Sequence, residues 1–203
     1  MHADPDSLGG KLLAGARAGD TAALGELLER FRVYLTILAR IQIGRRLQGK
    51  VDAADLVQDT FLHAHQKFAQ FEGATEDTFL KWLRGILANE IAHLVRRYFS
   101  QGRDVGLEQS LILELDSSSE RMAGPAAPES SPSEQASRRE QALRLADALE
   151  RLPADYREVL LLRQIEDLPF ADVAQRMNRT LDSVQKLWVR ALDALRKVLE
   201  PPP

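Results

Sequence analysis

Apolar residues recur at intervals of three and four along almost the whole chain, and nowhere do they alternate for long enough to make a strand. This spacing lays a stripe along one side of an α-helix, so the chain is expected to be all-α. From Asp20 the stripe runs through Leu24, Leu27, Leu28, Phe31, Tyr34, Leu35 and Leu38 as one helix, with Asp20 placed to accept from the free amides of the first turn. Gly44 and Gly49 bracket a polar stretch. Beyond it Asp52 can cap a second helix, with Leu56, Val57, Phe61, Ala64 and Phe68 inward and Gly73 at its end. A third helix starts near Thr75, with Glu76 and Asp77 at its positive end. It continues through Phe79, Trp82, Leu83, Ile86, Leu87, Ile91, Leu94 and Val95 to Arg96 and Arg97.

The pattern dissolves near Gly102. Between Asp116 and Ser137 stand Ser117 to Ser119, Gly124, Pro125, Pro128 and a serine–proline run from Ser130 to Ser133, the composition of a flexible linker. Periodicity returns with Leu143, Leu145, Ala148, Leu149 and Leu152, stops at Pro153, and resumes at Tyr156, Val159, Leu160 and Leu162. Two small helical domains, 1–102 and 136–203, joined by a flexible linker over 103–135, are therefore expected. A length of 203 residues suffices for two such bodies, each with a modest core.

The absence of cysteine excludes disulfides, thiolate zinc sites and cysteine nucleophiles, and fits a reducing compartment. Met1 to Gly10 has neither the basic start nor the apolar run of a signal peptide, and no window has the apolar length that spans a bilayer. A cytoplasmic protein with no membrane partner is expected. The net charge of −3 weighs against non-specific coating of nucleic acid, so any DNA contact must come from local basic surfaces.

One such surface lies near the carboxy terminus. Pro169 to Met177 reads as a short helix with Phe170, Val173, Ala174 and Met177 inward, and Asn178, Arg179 and Thr180 form a tight connection. Asn178 tolerates a left-handed backbone, and Thr180 can cap a following helix from Leu181 to about Leu199. This is a helix-turn-helix pattern. Val184, Leu187, Ala191, Leu195 and Val198 make the packed stripe of the second helix, whereas Asp182, Ser183, Gln185, Lys186 and Arg190 fall largely on the other side. From Arg176 to Lys197 six basic residues stand against only Asp182 and Asp193.

The run from Ala148 to Arg163, ALERLPADYREVLLLR, resembles the opening of the promoter-binding carboxy-terminal domain of extracytoplasmic-function sigma factors, and the helix-turn-helix follows it in the expected place. Asp52 to Phe61, DAADLVQDTF, resembles the polymerase-docking helix of that family, and Phe79 to Asn89, FLKWLRGILAN, its promoter-melting helix. The resemblance covers nearly the whole chain and implies a transcription initiation factor that brings RNA polymerase to promoters and performs no catalysis itself. On the docking helix it implies polymerase contacts at Asp55, Gln58, Asp59 and His63, acidic and polar groups that suit a basic partner.

The segment 71–78 resembles the loop that receives a base flipped from the minus-ten element, and Asn89 matches a position facing the separated strand. Phe71, Asn89, Arg96 and Arg97 are the implied minus-ten contacts, since unstacking a base costs a few kcal/mol that a pocket must return. Trp82 and Phe79, at helical spacing, are read as core. For the minus-thirty-five element the implied contacts are Arg179, Asp182, Ser183, Gln185, Lys186 and Arg190. The implied partners are core RNA polymerase and promoter DNA, with room for an anti-sigma protein; no cofactor, metal or small-molecule substrate is expected. Glu90, His93 and Leu187 depart from the commoner family pattern.

Other signals carry less. Gly44 to Lys50, GRRLQGK, fits most of a phosphate-loop pattern, but Val51 follows where a Ser or Thr would hold magnesium, and no strand precedes it. Arg45, Arg46 and Lys50 remain candidates for DNA phosphates. His63 and Asp59 share a helix face, yet neither His2 nor His93 is placed to complete a metal site. A helix-turn-helix regulator binding DNA without polymerase, and a helical adaptor for protein partners only, are the alternatives; the first expects dimers on paired half-sites.

Overall fold

A computed structural model describes residues 7–46, 51–99, 105–124 and 131–200, and every regular element among them is helical. In chain order these are α1 (Leu8–Arg17), α2 (Thr21–Arg30), α3 (Arg32–Arg46), α4 (Ala53–Lys67) and α5 (Glu76–Phe99). They are followed by α6 (Val105–Ala123), α7 (Pro132–Glu150), α8 (Ala154–Leu160), α9 (Phe170–Arg176) and α10 (Leu181–Leu199). A 3₁₀ turn, Phe68–Gln70, extends α4, and a π-helical turn, Leu161–Ile165, extends α8.

Several helix starts are set by side-chain caps, whereas α8 and α9 begin after Pro153 and Pro169. Asp20 accepts from the amides of Ala22 and Ala23 at 2.9 and 3.1 Å, and Asp52 from Ala54 at 2.8 Å. At the head of α5 the Thr78 amide donates to the Thr75 hydroxyl at 3.1 Å, and the Thr75 amide to the Thr78 hydroxyl at 3.0 Å. Ser131 and Glu134 form a capping box ahead of α7.

Three expectations need correction. The stripe starting after Asp20 is not one helix: Phe31 leaves the α ladder for a bond to the Leu28 carbonyl at 3.0 Å, and its ring packs 6.1 Å from that of Phe79. Burial of a large ring outweighs continuity of the helix at that point. Helix α1 was not anticipated; Ser7 caps it, and Gly19, at φ +95°, turns the chain into α2. The third correction concerns the linker. The stretch expected to be a structureless tether over 103–135 is helical from Val105 to Ala123, and α7 already begins at Pro132. Leu111, Leu115, Ser118 and Met122, spaced by four, three and four, are buried on one face. That periodicity overrides the loop-like content of the serine run. Of the phosphate-loop-like stretch, Gly44 lies inside α3 and 47–50 fall outside the described residues, as do the side chains of Arg45 and Arg46.

Buried apolar side chains form one connected core from Leu13 to Ala191, centred on Leu27, Phe31, Tyr34, Leu35, Leu38, Phe79, Leu83 and Leu87. Two charged joints hold α7 and α8 against the amino-terminal helices. Arg139 of α7 donates to Glu76 at 2.8 Å and to Asp77 at 2.7 Å, at the start of α5. Glu76 is buried and also lies 3.5 Å from Arg30, while a methyl added at Gly9 of α1 would overlap its carboxylate. The other joint is Glu150, which accepts from Arg40 of α3 and lies 2.5 Å from Arg157 of α8. Burial pushes its carboxyl up, but the hydrogen bonds and charges of Arg40 and Arg157 together outweigh that and hold it below the usual range.

Candidate nucleic-acid interface

The turn between α9 and α10 is built as the residue types require. Asn178 sits at φ +52°, its amide donates to the Gln175 carbonyl at 3.1 Å, and that of Arg179 to the Ala174 carbonyl at 2.9 Å, the bond pair of a Schellman ending. The Thr180 hydroxyl then accepts from the Ser183 amide at 3.3 Å and opens α10. Val184 and Ala191 are buried, Leu187, Leu195 and Val198 are packed against the core, and Trp188 meets Phe170 edge-on at 5.4 Å. The inward register of α10 therefore has the expected residues.

On its outer side Asp182, Gln185, Lys186 and Arg190 are exposed, while Ser183 is half-buried in the first turn. Lys186 pairs with Asp182 at 2.7 Å, one turn away, and Arg179 pairs with Asp155 of α8 at 2.6 Å. Both pairs are open to solvent and exchangeable for a phosphate at small cost.

On α4, Asp55, Gln58 and Asp59 are exposed and His63 is half-buried. Gln58 accepts from Arg32 of α3 at 3.1 Å, and His63 Nδ1 lies 2.8 Å from Glu90 Oε1 of α5. These two anchor the ends of the patch, leaving the two aspartates outermost. Leu62, 55% exposed, shares their helix face at i+3 from Asp59. The sequence signal for it is an apolar residue standing on the polar side of the stripe.

The expected minus-ten residues are not brought together in one open site. Phe71 is half-buried in a ring cluster, 5.1 Å from Trp82, 5.4 Å from Phe79 and 6.0 Å from Phe68. Phe79 is core, as read from the sequence, and Trp82 is only half-buried at the edge of the cluster. Arg17 of α1 lies 5.8 Å from the Phe71 ring centre and donates to the Gly73 carbonyl. A cleft of about 550 Å³ opens beside these groups, lined in part by Arg17, His65, Phe68 and Phe71. Asn89 and Arg97 are exposed further along α5, whereas Arg96 is paired with Glu108 of α6 at 2.8 Å. Among the described residues no three His, Asp or Glu converge to hold a metal ion, and no helix is long and apolar enough to cross a membrane.

Two helical regions, one ending in a capped helix-turn-helix, agree with what family comparison finds. A family model described as Sigma-70 region 2 matches residues 29–99, and one described as Sigma-70, region 4 matches residues 142–195. The chain belongs to the sigma-70 family, and several similar proteins are named as its extracytoplasmic-function members. The sigma factor SigD of Mycobacterium tuberculosis is 29% identical over 185 residues, 91% of this chain and 81% of that protein. The RNA polymerase sigma-H factor of Pseudomonas aeruginosa is 27% identical over 198 residues, covering 94% and 93%. The sigma factor BldN of Streptomyces coelicolor is 30% identical over 191 residues, covering 93% and 65%. This sigma factor is thus a polymerase-binding transcription initiation factor, and α4 and α5 fall within the region 2 match while α8 to α10 fall almost wholly within region 4.

Proposed function

We propose that three exposed faces divide the work of initiation. Asp55, Gln58, Asp59 and His63 of α4, with the exposed Leu62 among them, dock on core RNA polymerase. Phe71, Asn89, Arg96 and Arg97 bind the opened minus-ten strand. Arg179, Asp182, Ser183, Gln185, Lys186 and Arg190 read the minus-thirty-five element in duplex DNA. Residues 1–102 thereby supply docking and melting, and 136–203 supply upstream recognition, with 103–135 between them. The protein makes and breaks no bond itself; it works in the cytoplasm, and an anti-sigma protein is a partner on the strength of family membership alone.

The observation that carries this reading is the outward face of α10, where Gln185, Lys186 and Arg190 stand exposed on a helix whose opposite side is packed into the core. A helix presented in this way can enter a major groove without unfolding its own domain. The test is selection of bound sequences from a random promoter library by reconstituted holoenzyme. Lys186→Ala with Arg190→Ala should blur the upstream element and leave co-elution with core polymerase intact. Asp55→Ala with Asp59→Ala should reduce that co-elution. If neither pair changes anything, the assignment of these faces is wrong.

A further inference from the structure

Helix α6 lies between the two family matches and carries Glu108, Glu114, Asp116 and Glu120 against Arg121 alone. It packs along α5, whose cations are Lys81, Arg84, Arg96 and Arg97. Two of those arginines are held by α6: Arg84 donates to Asp116 at 2.9 Å and Arg96 to Glu108 at 2.8 Å. The pairs bracket the seam, Arg84 with Asp116 near one end and Arg96 with Glu108 near the other, as an antiparallel pair of helices demands. The side chains of Arg84 and Arg96 are left only 14% and 22% exposed. Leu111, Leu115 and Met122 bury the apolar side of the strap, and Tyr34 of α3 donates to Ser119 at 2.6 Å.

Carboxylates spaced along a rod and paired with arginines offer the same chemistry as a run of phosphates. We propose that α6 is an intramolecular stand-in for the DNA backbone: it holds Arg84 and Arg96 of α5 in the free chain, and the opened strand must displace it to reach them. The proposal rests on α5 being the promoter-melting helix. It gives α6 a role that neither family match covers, and it makes polymerase-free DNA binding weak without any second protein.

The strap variant is Glu108→Gln with Asp116→Asn, which removes both charges and keeps the apolar face. Binding of a short fluorescent single-stranded DNA of random sequence to the full free chain is read by anisotropy across a salt series, with thermal melting to confirm that the variant is folded. Affinity should rise by about three- to thirty-fold, the range two half-screened ion pairs can hold back. The slope of log affinity against log salt should steepen by about 1.4, the value for two added contacts to a single strand. Adding Arg84→Gln and Arg96→Gln should cancel both changes.

Unchanged affinity and slope in the strap variant would overturn the proposal, as would a gain that survives loss of both arginines. Run-off transcription with core polymerase separates the two readings. If wild type and variant both initiate but bind single strands equally, the strap is wrong and the proposed function stands. If neither initiates, the proposed function falls and the anisotropy series still decides the strap.

Discussion

Glu76 is the residue at which three separate parts of the chain meet, because its buried carboxylate is shared by Arg139 of α7 and Arg30 of α2 and closed over by Gly9 of α1. A buried carboxylate that loses its main cation keeps its desolvation cost without the attraction. Arg139→Met should therefore destabilise the fold by about 3 kcal/mol in urea unfolding. Glu76→Gln combined with Arg139→Met should recover much of that loss, since no buried carboxylate is then left without its cation. Lys186 is the opposite case. Its partner Asp182 is exposed, so Lys186→Ala should leave stability within about 0.5 kcal/mol and act on DNA affinity instead, lowering the salt slope by about 0.9 for the phosphate it releases.

At the scale of elements, α10 is the best test of local rules, since its start depends on two residues. Thr180→Ala removes the cap and should cost about 1 kcal/mol. Asn178→Gly should be tolerated at φ +52°, whereas Asn178→Val should destabilise by about 1–2 kcal/mol; thermal melts distinguish the three. The same rules explain what was legible beforehand. Asp20, Asp52, Asn178 and Thr180 act as the sequence indicates, because capping and left-handed turns are decided within a few residues. The inward stripe of α10 and the core placement of Phe79 follow from period alone.

What was not legible depended on partners distant in sequence. Nothing local shows that Phe31 interrupts α2 and α3 to reach Phe79, or that Leu111, Leu115 and Met122 have a groove to enter and so make a helix of a serine-rich stretch. The site divides in the same way. Exposure of Asp55, Asp59 and Arg190 follows from helix register, but the engagement of Arg96 by Glu108, and of Phe71 by the ring cluster and Arg17, needs the assembled fold.

For the whole molecule, the joint at Glu150 makes the packing of α3 on α7 and α8 sensitive to acid. Its folded carboxyl lies below the ordinary glutamate value of about 4.3, so its stabilisation is complete above that value and is lost as pH falls through the lowered one. Glu150→Gln should lower the melting temperature at neutral pH and flatten its fall on acidification. Glu158 has the opposite sign: burial and the nearby Asp155 charge raise its carboxyl, so its contribution fades as pH rises through the raised value. Glu158→Gln should raise the melting temperature at neutral pH.

The role of this sigma factor as the specificity subunit of polymerase is tested most directly by run-off transcription of a genomic fragment library with core RNA polymerase, with and without the purified chain. Discrete transcripts should arise only in its presence, their start sites sharing two upstream elements, the more distant of which loses definition with Lys186→Ala and Arg190→Ala. No chain-dependent transcript from any fragment, with core enzyme shown active by another factor, would contradict it.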